Sequence, residues 1–288
     1  MDDEAGGSMN QEVENVELEL FLEGIYRYYG FDFRHYIRSS LMRRIQNRLR
    51  IEGIPTITRL LEQVLRDKDM LDKVLHDFSI RVTEMFRDPG FFRALRQEVI
   101  PYLRGLPEIR IWHAGCATGE EVYSMAILLK EEGLTQHSKI YATDMSESAI
   151  EKCRRGAYPL KQMQIYTKNY MEAGGISAFS EYYQTDHQYA YFLPELRDNI
   201  MFAQHNLVTD GSFNEFHLIL CRNVMIYFDT TLQLQVHKLF YSSLAVEGFL
   251  GLGNKESIVQ LDKHFKYVEF NPNERIYRKP TLSGDDVT

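Results

Sequence analysis

Residues 109–121 read IRIWHAGCATGEE, and after a helical interval the run KIYATD ends at Asp144. An apolar run that stops at a glycine turn and passes at once into a helical pattern is the opening strand–loop–helix of a nucleotide-binding α/β sheet. Gly115 and Gly119 let the backbone turn tightly and approach a ligand, which residues carrying a Cβ resist. The spacing is G-x-x-x-G, not the G-x-G-x-x-G of a pyrophosphate cradle, and no lysine follows as in a P-loop. Glu120 and Glu121 open the helix instead. Carboxylates there repel phosphate and suit a cationic or hydroxyl-rich ligand. Asp144, closing the second strand, is the kind of acid that accepts from ribose hydroxyls. The pattern favours a nucleoside without phosphates, of which S-adenosylmethionine is the common one. An ordinary turn in an α/β protein is the plainer alternative.

The alternation continues. Strand-like runs at 139–143, NIMFAQHN, FHLILC and GFLGLG are separated by helical patterns at 120–131, 147–154 and 232–244. Strands separated by helices imply a mostly parallel sheet. The runs near 266–270 and 274–278 have no helix between them and are expected as an antiparallel hairpin at one edge. Residues 160–197 are too long for a simple connection and hold eight Tyr and Phe residues between Tyr166 and Phe192, so an accessory subdomain is expected. Upstream, from Val16 to about Leu75, the pattern is helical throughout. Leu18, Leu22, Ile25 and Tyr29 share one spacing, Ile37, Leu41, Ile45 and Leu49 another, and Thr56 or Thr58 is placed to cap the next helix.

A chain of 288 residues is one large or two modest domains. Its apolar runs are too short to cross a membrane and no signal peptide is visible, which argues against membrane insertion. Cys116, Cys153 and Cys221 are scattered, and the nine histidines form no ligand-like motif, so a reduced, cytoplasmic, metal-free protein is expected. The net charge of −8 conceals an asymmetry: residues 1–26 hold eight acids and no base, and residues 34–50 hold six arginines and no acid. We expect residues 1–15 to be a disordered or vector-derived leader, 16–90 a helical domain with its linker, and 91–285 an α/β domain with an insertion at about 160–197.

Three further stretches carry chemistry. FHLILCRNVMIYF places Cys221, Arg222 and Asn223 where an apolar strand ends, with Tyr227 shortly after, at the edge where open α/β sheets bind ligands. The alternative is an Arg–Asn turn exposed to solvent. VTEMFRDPGFF sets Arg87 among apolar residues, where a guanidinium needs an anion, either an internal partner or a substrate. In the arginine-rich helix, Arg44 and Arg48 fall on the apolar stripe while Arg43 and Arg50 lie opposite. The first two are expected to face a cleft or an acidic partner surface, with snorkelling along a domain interface as the alternative. Asn206 and Leu207 end another strand, where they either read an adenine edge or form a turn. Six arginines in an acidic chain make a weak nucleic-acid footprint.

Together, TEMFRDP, AGCATGEE, ATD and CRNVMIYF closely resemble the CheR-type chemotaxis receptor methyltransferases, from about Phe21 to Lys279. The resemblance implies a Rossmann-like S-adenosylmethionine-dependent methyltransferase sheet, an N-terminal helical domain and a small inserted β-subdomain. It implies cofactor contacts at Thr83, Arg87, Glu120, Asp144, Asn206, Leu207, Cys221 and Arg222, with Arg87 and Tyr227 at the methyl-transfer centre; Gly115, in the glycine turn, is the further cofactor contact expected from the spacing. It also implies S-adenosylhomocysteine as product and receptor recognition by the helix carrying Arg44 and Arg48. The expected partner is the helical cytoplasmic region of methyl-accepting chemoreceptors, met by a cytoplasmic monomer. Three departures stand out: Met85 replaces a phenylalanine, Arg81 replaces a cofactor-binding asparagine, and GNKES at 253–257 replaces a common G-H-S-E.

A glutamate acceptor, with a reference pKa of about 4.3, is ionised at neutral pH, so attack on a sulfonium methyl needs no general base. Two other readings compete: a methyltransferase with another acceptor, and a regulatory module that binds the cofactor without transferring methyl groups. Against a nucleic-acid acceptor, Asn223 leads into Val-Met-Ile-Tyr and not an Asn-Pro-Pro-Tyr-like loop.

Overall fold

Central parallel strands are buried on both faces and read as continuous apolar runs. IRIWHA and FHLILC each bury five of six residues. They become β1 (Ile109–Ala114) and β7 (Phe216–Cys221), adjacent at the middle of a seven-stranded sheet. The computed structural model describes residues 2–78, 83–258 and 265–281, with the backbone alone for 2–10. Arg81 lies outside the described residues.

The chain divides into two compact units, residues 1–80 with Tyr227–Gln233, and 81–226 with 234–288. The first is built of α1 (Asp2–Tyr29), α2 (Arg38–Glu52), α3 (Ile57–Arg66) and α4 (Lys68–Phe78). The stretch 2–15, expected as a leader, continues α1 as helix. Leu18, Phe21, Leu22 and Ile25 bury one face of α1, and Leu41, Met42 and Ile45 one face of α2. Ile37 departs from the expected stripe: it is the residue before α2 and stays 40% exposed. The Thr56 hydroxyl accepts from the Arg59 N–H at 3.2 Å, capping α3 as read from the sequence.

The second unit begins with α5 (Pro89–Ala94), which runs through a π-helical turn into α6 (Ile100–Leu103). After β1 come α7 (Glu120–Glu131), β2 (Ser138–Asp144) and α8 (Glu147–Arg155). The insertion follows: β3 (Ala157–Pro159), α9 (Met163–Glu172), β4 (Tyr183–Thr185) and β5 (Tyr189–Phe192). The main sheet resumes with β6 (Ile200–Gln204), then β7, α10 (Thr230–Ser243), β8 (Leu244–Leu252), β9 (Val268–Asn271) and β10 (Ile276–Arg278).

Strand order is β6-β2-β1-β7-β8-β10-β9. The first five are parallel, in register Ile109↔Ser138 across β1 and β2, and β10 and β9 close one edge antiparallel. That edge is the hairpin expected from the missing helix. The insertion forms its own antiparallel sheet, β3-β5-β4. Its aromatics make a small core: Tyr158, Tyr166, Tyr170, Phe179, Tyr182 and Phe192 are all buried. The ten-residue α9 within it was not expected.

The TEMFRDP segment groups with the sheet unit, whereas a helical domain and linker were expected to run to residue 90. Met85 and Phe86 are buried in the core of that unit, the Phe86 N–H donates to Ser124 Oγ at 2.8 Å, and Asp88 pairs with Arg222 at 2.7 Å.

Candidate functional site: a cofactor loop at the strand ends

The β1–α7 loop is held in left-handed conformations at Gly115 (φ 78°), Ala117 (φ 48°) and Gly119 (φ 93°). A Cβ at Gly119 would collide with Cys153 Sγ, so only glycine permits this path. The Gly115 and Cys116 N–H groups both donate to the Thr143 carbonyl, each at 2.9 Å, which ties the loop to the end of β2. Asp144 completes the joint: Oδ2 accepts from the Ala117 N–H and Oδ1 from the Ser146 N–H, both at 2.9 Å.

Glu120 starts α7, 5% exposed. Among the described residues its hydrogen-bond donors are neutral: the Thr118 hydroxyl at 2.6 Å and, more distantly, the Tyr166 hydroxyl at 3.4 Å. Burial pushes its pKa up to about 7, against the pull of those bonds. A buried carboxyl facing only neutral donors is complementary to an ammonium group, such as the one on a methionine-derived ligand. The residues present therefore fit S-adenosylmethionine. The insertion also reaches this loop, since the Tyr158 hydroxyl donates to the Thr118 carbonyl at 2.8 Å.

Glu121 belongs to a different system. Arg222 Nη1 donates to Glu121 at 2.9 Å, Arg222 Nη2 to Asp88 at 2.7 Å, and His113 Nδ1 lies 3.1 Å from Glu121. Burial acts to raise the Glu121 pKa, but His113 and Arg222 outweigh it and hold the carboxyl below its ordinary value. The Arg222 guanidinium is 4.0 Å from the Phe91 ring centre, and its side chain is 1% exposed. This chain of charges joins the TEMFRDP segment, β7, α7 and β1. The Arg222 side chain, expected at the cofactor, is bonded to Glu121 and Asp88.

The other expected contacts fall as follows. Thr83 and Arg87 are partly exposed beside a strained turn, with Phe86 at φ 51° and Asp88 at φ 55°. Cys221 is fully buried, and burial holds its thiol well above the usual range. Leu207 is buried. Asn206 forms a turn, its Oδ1 accepting from the Val208 N–H at 3.0 Å and its N–H donating to Asp210 at 2.8 Å. That is the turn alternative weighed from the sequence, and it occupies one face of the side-chain amide.

Tyr227 and the arginine helix lie in the helical unit. The Tyr227 carbonyl accepts from the Ile37 N–H at 2.8 Å, and the Arg44 guanidinium stands 5.0 Å from the Tyr227 ring centre. Arg44 also donates to the carbonyls of Asp77 and Phe78, at 2.6 and 2.8 Å, capping the end of α4. Arg48 forms a two-pronged pair with Asp77, at 2.7 and 2.8 Å, and bonds Glu52 at 2.9 Å. Both arginines bond the end of α4 within the helical unit, and Arg44 also lines an open groove together with Asp77. A groove of about 630 Å³ beside α2 is lined by Arg43, Arg44, Gln46, Asn47, Arg50 and Asp77, of which Arg43, Gln46, Asn47 and Arg50 are exposed.

Sequence reasoning missed Glu256, inside the GNKES stretch that was read as a departure. It is 5% exposed and binds the turn after β7. The signal was present as G-x-x-E, an acid three residues past a strand-ending glycine.

Fold and site together define an S-adenosylmethionine-dependent methyltransferase. Residues 81–273 match the family model described as "CheR methyltransferase, SAM binding domain", and residues 16–79 that described as "CheR methyltransferase, all-alpha domain". A Pseudomonas putida protein named "Putative methyltransferase Cher3" is 45% identical over 265 residues, covering 92% of this chain and 97% of that one. A Listeria innocua "Chemotaxis protein methyltransferase" is 32% identical over 243 residues, covering 83% and 89%. A solved structure of the N-methyltransferase NodS of Bradyrhizobium japonicum with S-adenosyl-L-homocysteine is 15% identical, at TM-score 0.40 over 69% of this chain and 90% of that one, too slight a likeness to argue from. The chain belongs to the CheR family of S-adenosylmethionine-dependent protein-glutamate O-methyltransferases. No helix among the described residues is long and apolar enough to cross a membrane, and no group of three or more His, Cys, Asp or Glu among them could hold a metal ion.

Proposed function

We propose that this chain methylates glutamate side chains in the helical cytoplasmic region of a chemoreceptor, with Glu120 and Asp144 as its principal cofactor-binding acids. The observation that carries the proposal is the pair itself. Glu120 is a buried carboxyl with no cation bonded to it among the described residues, and Asp144 is fixed by two backbone N–H bonds at the end of β2. Glu120 would hold the ammonium and Asp144 the ribose hydroxyls. Gly115, Leu207 and the backbone at Cys221 and Arg222 would line the nucleoside, with Thr83 and Asn206 at its margins.

Bound S-adenosylmethionine supplies an electrophilic methyl group on a sulfonium. A glutamate carboxylate is already ionised at neutral pH, so no residue is asked to remove a proton. Arg87 would hold that carboxylate in line through charge-assisted hydrogen bonds, and Tyr227 would fix the transferring centre by its hydroxyl. Alignment of the reacting groups then supplies most of the acceleration. Arg44, over the Tyr227 ring, would set that ring's position.

For acceptor recognition the geometry of α2 favours Arg43 and Arg50, with Gln46 and Asn47 between them, because these residues are exposed on the groove; Arg44 lines it too while bonded to the end of α4, and Arg48 is paired with Asp77. Acid-rich receptor helices would meet that groove electrostatically. The family supports a cytoplasmic location.

Calorimetry with S-adenosylhomocysteine tests the site. Wild type should bind without metal or phosphate, and Asp144→Ala should lose about 1.5–3 kcal/mol, the cost of a charged hydrogen bond. Equal affinity for a dinucleotide, or undiminished binding by the variant, would overturn the assignment.

A further inference from the structure

The turn after β7 is shaped by one side chain. Glu256 Oε2 accepts from the N–H groups of Asn223 at 2.8 Å and Gly253 at 2.7 Å. Its Oε1 accepts from Val224 at 3.0 Å, Met225 at 2.8 Å and Ile226 at 3.3 Å. Five successive or facing backbone donors thus converge on one buried carboxylate. Asn223 sits at φ 61°, a left-handed conformation that asparagine tolerates better than most residues with a Cβ. Gly253 is part of the same device. A Cβ there would lie 2.7 Å from Glu256 Oε2 and 2.8 Å from the Asn223 nitrogen, so the carboxylate can reach the turn only past a glycine. The Glu256 N–H in turn donates to the Gly253 carbonyl at 2.9 Å, which closes the 253–256 segment on itself.

The clamped amides end at Ile226, and the next residue opens the segment Tyr227–Gln233, which groups with the helical unit. The chain thus leaves the sheet unit directly from a turn that Glu256 holds. We propose that Glu256 is a positioning residue for methyl transfer: it fixes the turn 223–226, and through it the point from which Tyr227 departs. The proposal rests on the reading of Tyr227 as part of the transfer centre. Without the carboxylate, four successive N–H groups would need new partners, and the left-handed Asn223 would relax toward an ordinary conformation.

The test uses the full chain, with Glu256→Gln, Glu256→Asp and, as a control, Lys255→Ala at the exposed neighbouring position. Glutamine keeps the size but turns amide hydrogens toward amide hydrogens. Amide hydrogen exchange should speed up selectively at 223–226 and Gly253 in Glu256→Gln, while the strands β1 and β2 keep their protection. At saturating cofactor and acceptor, kcat should fall at least about tenfold, since a displacement of about 1 Å is enough for such losses. The dissociation constant for S-adenosylhomocysteine should change by less than about threefold, which separates positioning from binding. Glu256→Asp, which keeps the charge on a shorter arm, should restore part of the rate, and Lys255→Ala should behave as wild type.

Unchanged exchange at 223–226 in Glu256→Gln would overturn the clamp. Unchanged kcat alongside weakened cofactor binding would overturn the positioning role, and so would unfolding of both Glu256 variants, since the residue would then serve the whole domain. The exchange measurement needs no turnover. If wild type itself transferred no methyl group to receptor, the proposed function would fail while the clamp was still being tested.

Discussion

Replacing Glu120 by Gln should separate what this carboxyl costs the fold from what it contributes to the ligand. Burial raises its pKa from 4.5 to about 7, and its hydrogen-bond donors among the described residues are neutral. A carboxyl raised on folding stabilises least where it is ionised. Its effect is nil below about pH 4.5, grows as the unfolded form ionises, and levels off above the folded pKa. A shift of about 2.5 units at about 1.4 kcal/mol each makes a penalty of about 3 kcal/mol at pH 8 and under about 1 kcal/mol at pH 5. Glu120→Gln should therefore raise the ligand-free unfolding free energy by up to that amount at pH 8, and hardly at all at pH 5.

Ligand binding should respond oppositely. An ammonium group needs the ionised carboxylate, so binding at pH 6 must first expel a proton. With a pKa of about 7, roughly 0.9 proton should be released on binding S-adenosylhomocysteine at pH 6 and about 0.1 at pH 8. Calorimetry in two buffers of different ionisation enthalpy counts these protons directly. In Glu120→Gln the pH-dependent release should vanish and affinity should drop. A proton count that does not change with pH in wild type, or a variant that binds as tightly without gaining stability, would refute the assignment of Glu120 to the ammonium.

Two further outcomes follow from the same geometry. In the pH–rate profile, kcat/KM for the cofactor should fall below about pH 7 through Glu120, and the limb should survive replacement of His113, His205 or His217; its loss in any one of those variants would point to a histidine acting as acid or base. Arg43→Ala and Arg50→Ala should weaken receptor binding, flatten its salt dependence and leave the unfolding midpoint unchanged, whereas Arg48→Ala should cost about 1–2 kcal/mol of stability through its partly exposed pairing with Asp77; the reverse pattern in binding and denaturation curves would return recognition to Arg48.

Much of the fold was legible because its strongest signals are local. A buried parallel strand must be apolar throughout, a cofactor loop must contain glycine, and a missing helix between two strands forces an antiparallel edge. Glu120 and Asp144 could be named for the same reason, since each sits at a fixed offset from a strand end. What escaped depends on distant partners. Periodicity put Arg44 and Arg48 on the apolar side of α2 but could not show that the end of α4 supplies Asp77 and two carbonyls to receive them. Arg222 reads as a ligand contact until Asp88, more than a hundred residues earlier, is seen to bind it. Glu256 makes all but one of its backbone bonds to a turn some thirty residues before it, and in sequence it looks like one acid in a polar loop. Ile37 kept its spacing but fell one position outside the helix, where no neighbouring turn covers it.

The most direct test of the account is methyl transfer itself: full-length protein, cofactor labelled on the transferred methyl, and purified chemoreceptor cytoplasmic fragments. The account predicts label on receptor glutamates as a base-labile methyl ester, lost when those glutamates are replaced by Ala, with turnover depressed in Arg87→Ala and Tyr227→Phe at saturating acceptor while cofactor still binds. Cofactor binding without any transfer to receptor, or label on nucleic acid or a small acid instead, would contradict it.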